Sequence, residues 1–183
     1  DEGPSTNLVF PDLAADAPQA LLDGSARIAL KTTPRFDKYI FIERSADIPF
    51  AIEQILISKL FDNGTICASE QAIVVEKCVA DQAIGEFKRR KAHFLSEEDI
   101  KKLEAVAFDS EKGLMNADIV GQSAAWIARK AGINVPPDTQ LLMAQLKGVG
   151  RKYPLSSEIL APILAFYVVD NFEKAVNLCI DLN

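Results

Sequence analysis

Apolar residues recur along this chain with two different periods, and the alternation of the two sets its class. Lys38-Tyr39-Ile40-Phe41-Ile42 is a contiguous β-branched and aromatic run, the pattern of a strand buried on both faces, as in a parallel sheet. Ile48, Ile52, Ile55, Leu56 and Leu60 then fall at helical spacing. Ser45 or Asp47 can cap that helix, and Pro49 is tolerated in its first turn. Ala72–Val75 predicts the next strand and Val79–Arg90 a helix with Ala83 and Phe87 on its apolar face. Ser96-Glu97-Glu98-Asp99 opens another helix, acids in its first turn, that continues to about Phe108. Ala117–Val120 predicts a short strand broken at Gly121, and Ser123–Ala131 a helix stopped by Gly132. Gln140–Leu146 and Ile163–Val169 predict two more strands, and Phe172–Leu182 a last helix. Residues 1–37 read as an irregular lead-in, interrupted by Pro4, Pro11, Pro18 and Pro34, with short helical pieces at Ala17–Leu22 and Ser25–Lys31 at most. The alternation predicts an α/β fold, a layered domain with a largely parallel sheet flanked by helices.

Composition narrows the function classes. At 183 residues the chain can bury one sizeable core. A net charge of −6 argues against a nucleic-acid or polybasic membrane binder. The one basic run, Lys88-Arg89-Arg90-Lys91, ends a predicted helix, where cations are favourable; a phosphate contact is the other use for it. Three cysteines at irregular positions, with no C-x-x-C, point to free thiols in a reducing, cytoplasmic setting. With a single histidine, a zinc site is not expected. No apolar run approaches the roughly 20 residues of a membrane span. The start, Asp1-Glu2-Gly3-Pro4, is acidic and lacks an initiator Met, so a processed or truncated piece is expected.

The chemistry concentrates in Phe61-Asp62-Asn63-Gly64-Thr65-Ile66-Cys67-Ala68-Ser69-Glu70-Gln71, between a helix and a strand. A reactive thiol needs a tight turn to project it, small neighbours that leave room for substrate, and nearby backbone N–H groups. Cys67 has these, although on the residues alone a buried structural cysteine reads slightly better. Cys78 and Cys179 sit in helix-like apolar segments and read as structural. Glu158, in a loop bounded by Pro154 and Pro162, is a second candidate, because loop carboxylates at strand ends often face a ligand; a solvated loop acid is the alternative. Glu70 reads as a surface or turn-capping acid, His93 as a structural histidine and Trp126 as core or interface. No phosphate-binding glycine motif follows a strand.

The string Phe61–Gln71 resembles the nucleophile segment of the aldehyde dehydrogenase superfamily, in its CoA-acylating branch, including the aldehyde half of bifunctional acetaldehyde/alcohol dehydrogenases. Phe41-Ile42-Glu43-Arg44-Ser45-Ala46-Asp47-Ile48, Met115-Asn116-Ala117-Asp118-Ile119-Val120-Gly121-Gln122 and Glu158-Ile159-Leu160-Ala161-Pro162 extend the resemblance over roughly residues 38–183. It implies that Cys67 is the nucleophile, carrying an acyl thioester, and that Glu158 touches the nicotinamide ribose. It further implies NAD as cofactor, coenzyme A as co-substrate, a small aldehyde as substrate, no metal, and a homo-oligomer. Residues 38–183 would then be the catalytic domain, with residues 1–37 a remnant of a dinucleotide-binding domain. Asp23-Gly24-Ser25-Ala26 is faintly similar to a turn near that domain's end, and Thr32–Asp37 stand where a Gly-rich segment is expected. Such a chain is expected to turn over poorly alone. The alternatives are a non-catalytic remnant acting as an assembly or structural partner, and a thiol esterase using His93 as base.

Overall fold

The computed structural model describes residues 38–109 and 114–182. The lead-in, its two short helical pieces and the Asp23–Ala26 and Thr32–Asp37 segments lie outside these residues. The elements in chain order are β1 (Tyr39–Ile42), α1 (Ile48–Leu60), β2 (Ala72–Glu76), α2 (Ala80–Arg89), β3 (Ala92–Phe94), α3 (Glu97–Ala107), β4 (Phe108–Asp109), β5 (Leu114–Met115), α4 (Ala124–Lys130), β6 (Leu141–Gln145), β7 (Ile163–Val169) and α5 (Phe172–Asp181). Five strands form one sheet in the order β1-β2-β7-β6-β3, and all its pairings are parallel. The fold is α/β, as the alternating pattern predicts.

Each central strand feeds two cores, which is why its apolar run is unbroken. Ile40, Ile42, Ile73, Val75, Leu164, Phe166, Leu141 and Met143 face α1 and α2. Phe41, Val74, Ala165, Tyr167, Leu142 and Ala144 face α3, α4 and α5. Successive side chains point to opposite faces, so a strand covered on both sides must be apolar at every position. On the α1/α2 side Phe166 meets Phe87 and Phe94 edge-to-face, at centroid distances of 6.3 and 5.2 Å, the geometry favoured by the ring quadrupoles.

Local signals set the helix starts. Asp47, Ser96, Ser123 and Asn171 each accept a backbone N–H from the first turn of the following helix, relieving one of its orphan donors. The sequence pattern misplaces three features. Ala117–Ile119 is a 3₁₀ turn and not a strand: the Asn116 side chain accepts from Asp118 N, which bends the chain before Gly121. The edge strand β3 escapes the pattern because α2 ends abruptly at Lys91, in the left-handed region at φ 67°, leaving three residues to pair with β6. The β4–β5 pair contributes two residues a side, too few for a period to show.

Candidate functional site

Three loops converge at the amino ends of β2 and β7. The first is the Phe61–Gln71 turn. After α1 the chain passes through three consecutive left-handed residues, Asp62, Asn63 and Gly64, at φ 46°, 53° and 76°. Asp, Asn and Gly are the residues for which this region is accessible. The Thr65 hydroxyl bonds to an Asp62 carboxylate oxygen at 2.8 Å, and the Asn63 amide donates to Gly121 O at 2.9 Å. Ser69 N–H closes on Ile66 O at 3.0 Å, leaving Cys67 exposed at the tip. Gly64 has a second constraint, since a Cβ there would stand 2.7 Å from Ala161 O.

Ala161 belongs to the second loop, which carries Glu158 into β7. Ile159 and Ala161 are buried in the core while Glu158 stays exposed. Lys38, at the start of β1, holds Glu158 through an ion pair of 2.5 Å. The carbonyl of Lys38 accepts Gln71 N at 2.7 Å, so one residue ties both loops to the sheet. The third loop, Asn116–Gln122, receives the Asn63 bond, and Leu160 N–H meets the sulfur of Met115 at 3.2 Å beside it. Open parallel sheets usually bind ligands beyond the carboxyl ends of their strands; this cluster lies at the opposite edge.

Beneath the turn lies a polar cluster that the sequence pattern does not announce. Lys59 is fully buried. Its Nζ donates to Gln71 Oε1 at 3.3 Å and to Ile159 O at 3.2 Å, and the same Gln71 oxygen accepts Ile159 N–H at 3.0 Å. Burial drives the Lys59 ammonium down from its usual value to about 7, against the opposing pull of Glu70 and Glu158. The one signal in the sequence is position: Lys59 continues the Ile52, Ile55, Leu56 spacing of the buried helix face.

Glu70 is the main departure from expectation among the acids. It reads as a surface or turn-capping acid, yet its Oε2 is buried and has no hydrogen-bond partner among the described residues; Ser69 Oγ is in the same state. Burial pushes the Glu70 carboxyl above the ordinary range, with hydrogen bonds and Lys59 opposing. Cys78, read as structural, is exposed in a 3₁₀ turn after β2. Cys179 is half-buried against the core, and burial pushes its thiol up. His93 lies in β3, with β6 and β7 between it and β2, so it is remote from the Cys67 turn and cannot act as its base. Trp126 packs on the core, with Lys130 Nζ 5.2 Å from its ring centroid. The basic run is spent on structure: Arg89 and Arg90 pair with Glu86, and Lys91 with Asp138.

Among the described residues no group of three or more His, Cys, Asp or Glu could hold a metal ion, and no helix is long and apolar enough to cross a membrane. Glu158 is exposed and held by the Lys38 ion pair.

Among models of known protein families, none matches the chain. Its sequence is similar to the aldehyde-alcohol dehydrogenase of Clostridium acetobutylicum, 39% identical over 143 residues, which are 78% of this chain and 16% of that protein. Its fold is similar to that of an acetylating aldehyde dehydrogenase from Geobacillus thermoglucosidasius, with a TM-score of 0.76 and 40% identity, covering 87% of this chain and 32% of that one. The propionaldehyde dehydrogenase of Rhodopseudomonas palustris, solved with bound propionyl-CoA, matches with a TM-score of 0.71 and 25% identity over 79% of this chain and 32% of that one. The chain thus spans about a sixth of the length of the curated relative and about a third of the solved chains.

Proposed function

We propose that this chain, a homologue of one segment of the CoA-acylating aldehyde dehydrogenases, carries the nucleophile of an aldehyde-to-acyl-CoA oxidation, with Cys67 as the reacting atom. The observation that supports this most is the left-handed Asp62-Asn63-Gly64 turn, which presents an exposed thiol against the loop of Glu158.

In this reading the Cys67 thiolate adds to the carbonyl carbon of a short aldehyde. An S–C bond forms, and the carbonyl electron pair moves to oxygen, where the Cys67 N–H stabilises it. Glu158 would hold the nicotinamide ribose of a dinucleotide, NAD in this reading, which when bound supplies the two-electron acceptor. Loss of the hydrogen on that carbon with its bonding pair, as hydride to that acceptor, would let the oxygen pair re-form the carbonyl and leave a thioester on Cys67. The thiol of coenzyme A attacks that thioester, the new acyl–S bond forms, and Cys67 departs as thiolate. Residues 38–183 constitute the nucleophile-bearing domain in this scheme, and residues 1–37 a lead-in without a Gly-rich dinucleotide fingerprint. A cytoplasmic setting suits its free thiols, and a homo-oligomer is the expected assembly.

The second half-reaction runs backwards without any dinucleotide, which gives a direct test. Incubation with acetyl-CoA, followed by intact and peptide mass spectrometry, is expected to show one acetyl group on Cys67 and none in Cys67→Ser. A wild-type chain that stays unacylated, or a Cys67→Ser chain that acquires the group as fast, would remove the basis for the proposal.

A further inference from the structure

We infer that Lys59 is a positioning residue: by gripping the Ile159 peptide and Gln71 together, it sets the Glu158 loop in register with the Cys67 turn. This rests on the reading of Cys67 as the acyl carrier and goes beyond it, because Lys59 touches neither thiol nor carboxylate.

The geometry carries the inference. Ile159 is the neighbour of Glu158, and both of its backbone polar groups are taken up inside the protein. Its N–H goes to Gln71 Oε1 at 3.0 Å and its carbonyl receives Lys59 Nζ at 3.2 Å. Lys59 Nζ closes the ring on the same Gln71 oxygen at 3.3 Å. Gln71 stands four residues after Cys67, and Lys59 sits at the end of α1, just before the turn. The end of α1, the tail of the Cys67 turn and the residue after Glu158 therefore meet in one buried three-member network. Backbone packing supplies a second contact between the same loops, at Gly64 against Ala161.

An ammonium is an expensive way to fill a fully buried helix position, since an aliphatic side chain would avoid the desolvation. A lysine stem, however, is long enough to reach a carbonyl on another loop, and its head can donate in two directions at once. Acyl transfer from an acyl-CoA to a thiol requires the incoming carbonyl to be held against the sulfur, and misplacement by about 1 Å costs on the order of 100-fold in rate. Thiol alkylation by a small reagent has no such requirement. The clamp should therefore matter for the first reaction and not the second.

The test compares wild type, Lys59→Met, Gln71→Met and Gln71→Glu, the last keeping a carboxylate oxygen to accept from both Lys59 and Ile159. Acetyl transfer from acetyl-CoA to Cys67 is expected to fall at least about tenfold in the two Met variants and to return to within about threefold of wild type in Gln71→Glu. Iodoacetamide alkylation of Cys67 stays within about twofold in all. Amide hydrogen exchange, read in parallel by NMR, is expected to quicken at least about tenfold at Ile159 and Gln71 relative to β6 in the Met variants, with no loss of protection in β6. Unchanged exchange at Ile159 and Gln71 would overturn the inference, as would acylation and alkylation falling together with protection lost throughout β6. If wild type is not acylated at all, the Cys67 reading fails, and the exchange data alone decide whether Lys59 positions the loops.

Discussion

Replacing Lys59 by Met should change the way stability depends on pH, and not merely its size. In the folded chain the Lys59 ammonium titrates at about 7, pushed down from 10.5 by burial. Between those values the unfolded chain holds a proton that the folded chain lacks. Stability contributed by this group therefore rises with pH, from its minimum below pH 7 to its maximum above the unfolded value. The full span is about 3.5 pH units at about 1.4 kcal/mol each, or roughly 5 kcal/mol. Met fills a similar volume and removes the titration, but it strips Ile159 O of its donor, at about 1–3 kcal/mol independent of pH. The variant should thus be the more stable protein near pH 6 and the less stable near pH 10, with the two curves crossing between about pH 8 and 10. Urea unfolding at half-unit steps from pH 6 to 10 reads this directly. Tyr39 and Tyr167, both raised by burial, are common to both proteins and cancel. Glu70 faces Lys59 and would titrate higher without it, so the pair is repeated with Glu70→Gln, and the slope above pH 8 must survive. Parallel stability curves for wild type and Lys59→Met would refute the reasoning, because a lysine that stays protonated to pH 10 is not desolvated.

Gly64→Ala combines a left-handed φ of 76° with a Cβ 2.7 Å from Ala161 O; it should cost about 2–4 kcal/mol in urea unfolding and disturb the Cys67 turn first by hydrogen exchange. Cys67 and Cys78 are exposed while Cys179 is half-buried with its thiol pushed up; timed alkylation at pH 7.5 with peptide mass spectrometry should label the first two well before the third. Phe166→Ala removes the ring shared by Phe87 and Phe94 and should destabilise by about 3–5 kcal/mol in the same unfolding assay.

The sequence by itself determined the class of this protein. Unbroken apolar runs at Tyr39–Ile42, Ala72–Val75 and Ile163–Val169, separated by helical periods, can only be satisfied by strands covered on both faces. It also located the Cys67 turn, because Asp-Asn-Gly before a small-residue segment is a local signal that needs no partner elsewhere in the chain. What it could not show is whatever depends on another segment. Ala117–Val120 reads as a strand until the Asn116 side chain is seen bending the backbone ahead of it. Cys78, among apolar letters, is nonetheless exposed, because its 3₁₀ turn directs it off the sheet. Lys59 and Glu70 are ordinary charged letters in the sequence. Only the tertiary structure buries Lys59, and one carboxylate oxygen of Glu70, where the loops that carry Cys67 and Glu158 meet, about ninety residues apart along the chain. Burial and long-range hydrogen bonds are properties of the packed molecule, so the identity of the turn could be read locally while the lysine that holds it could not.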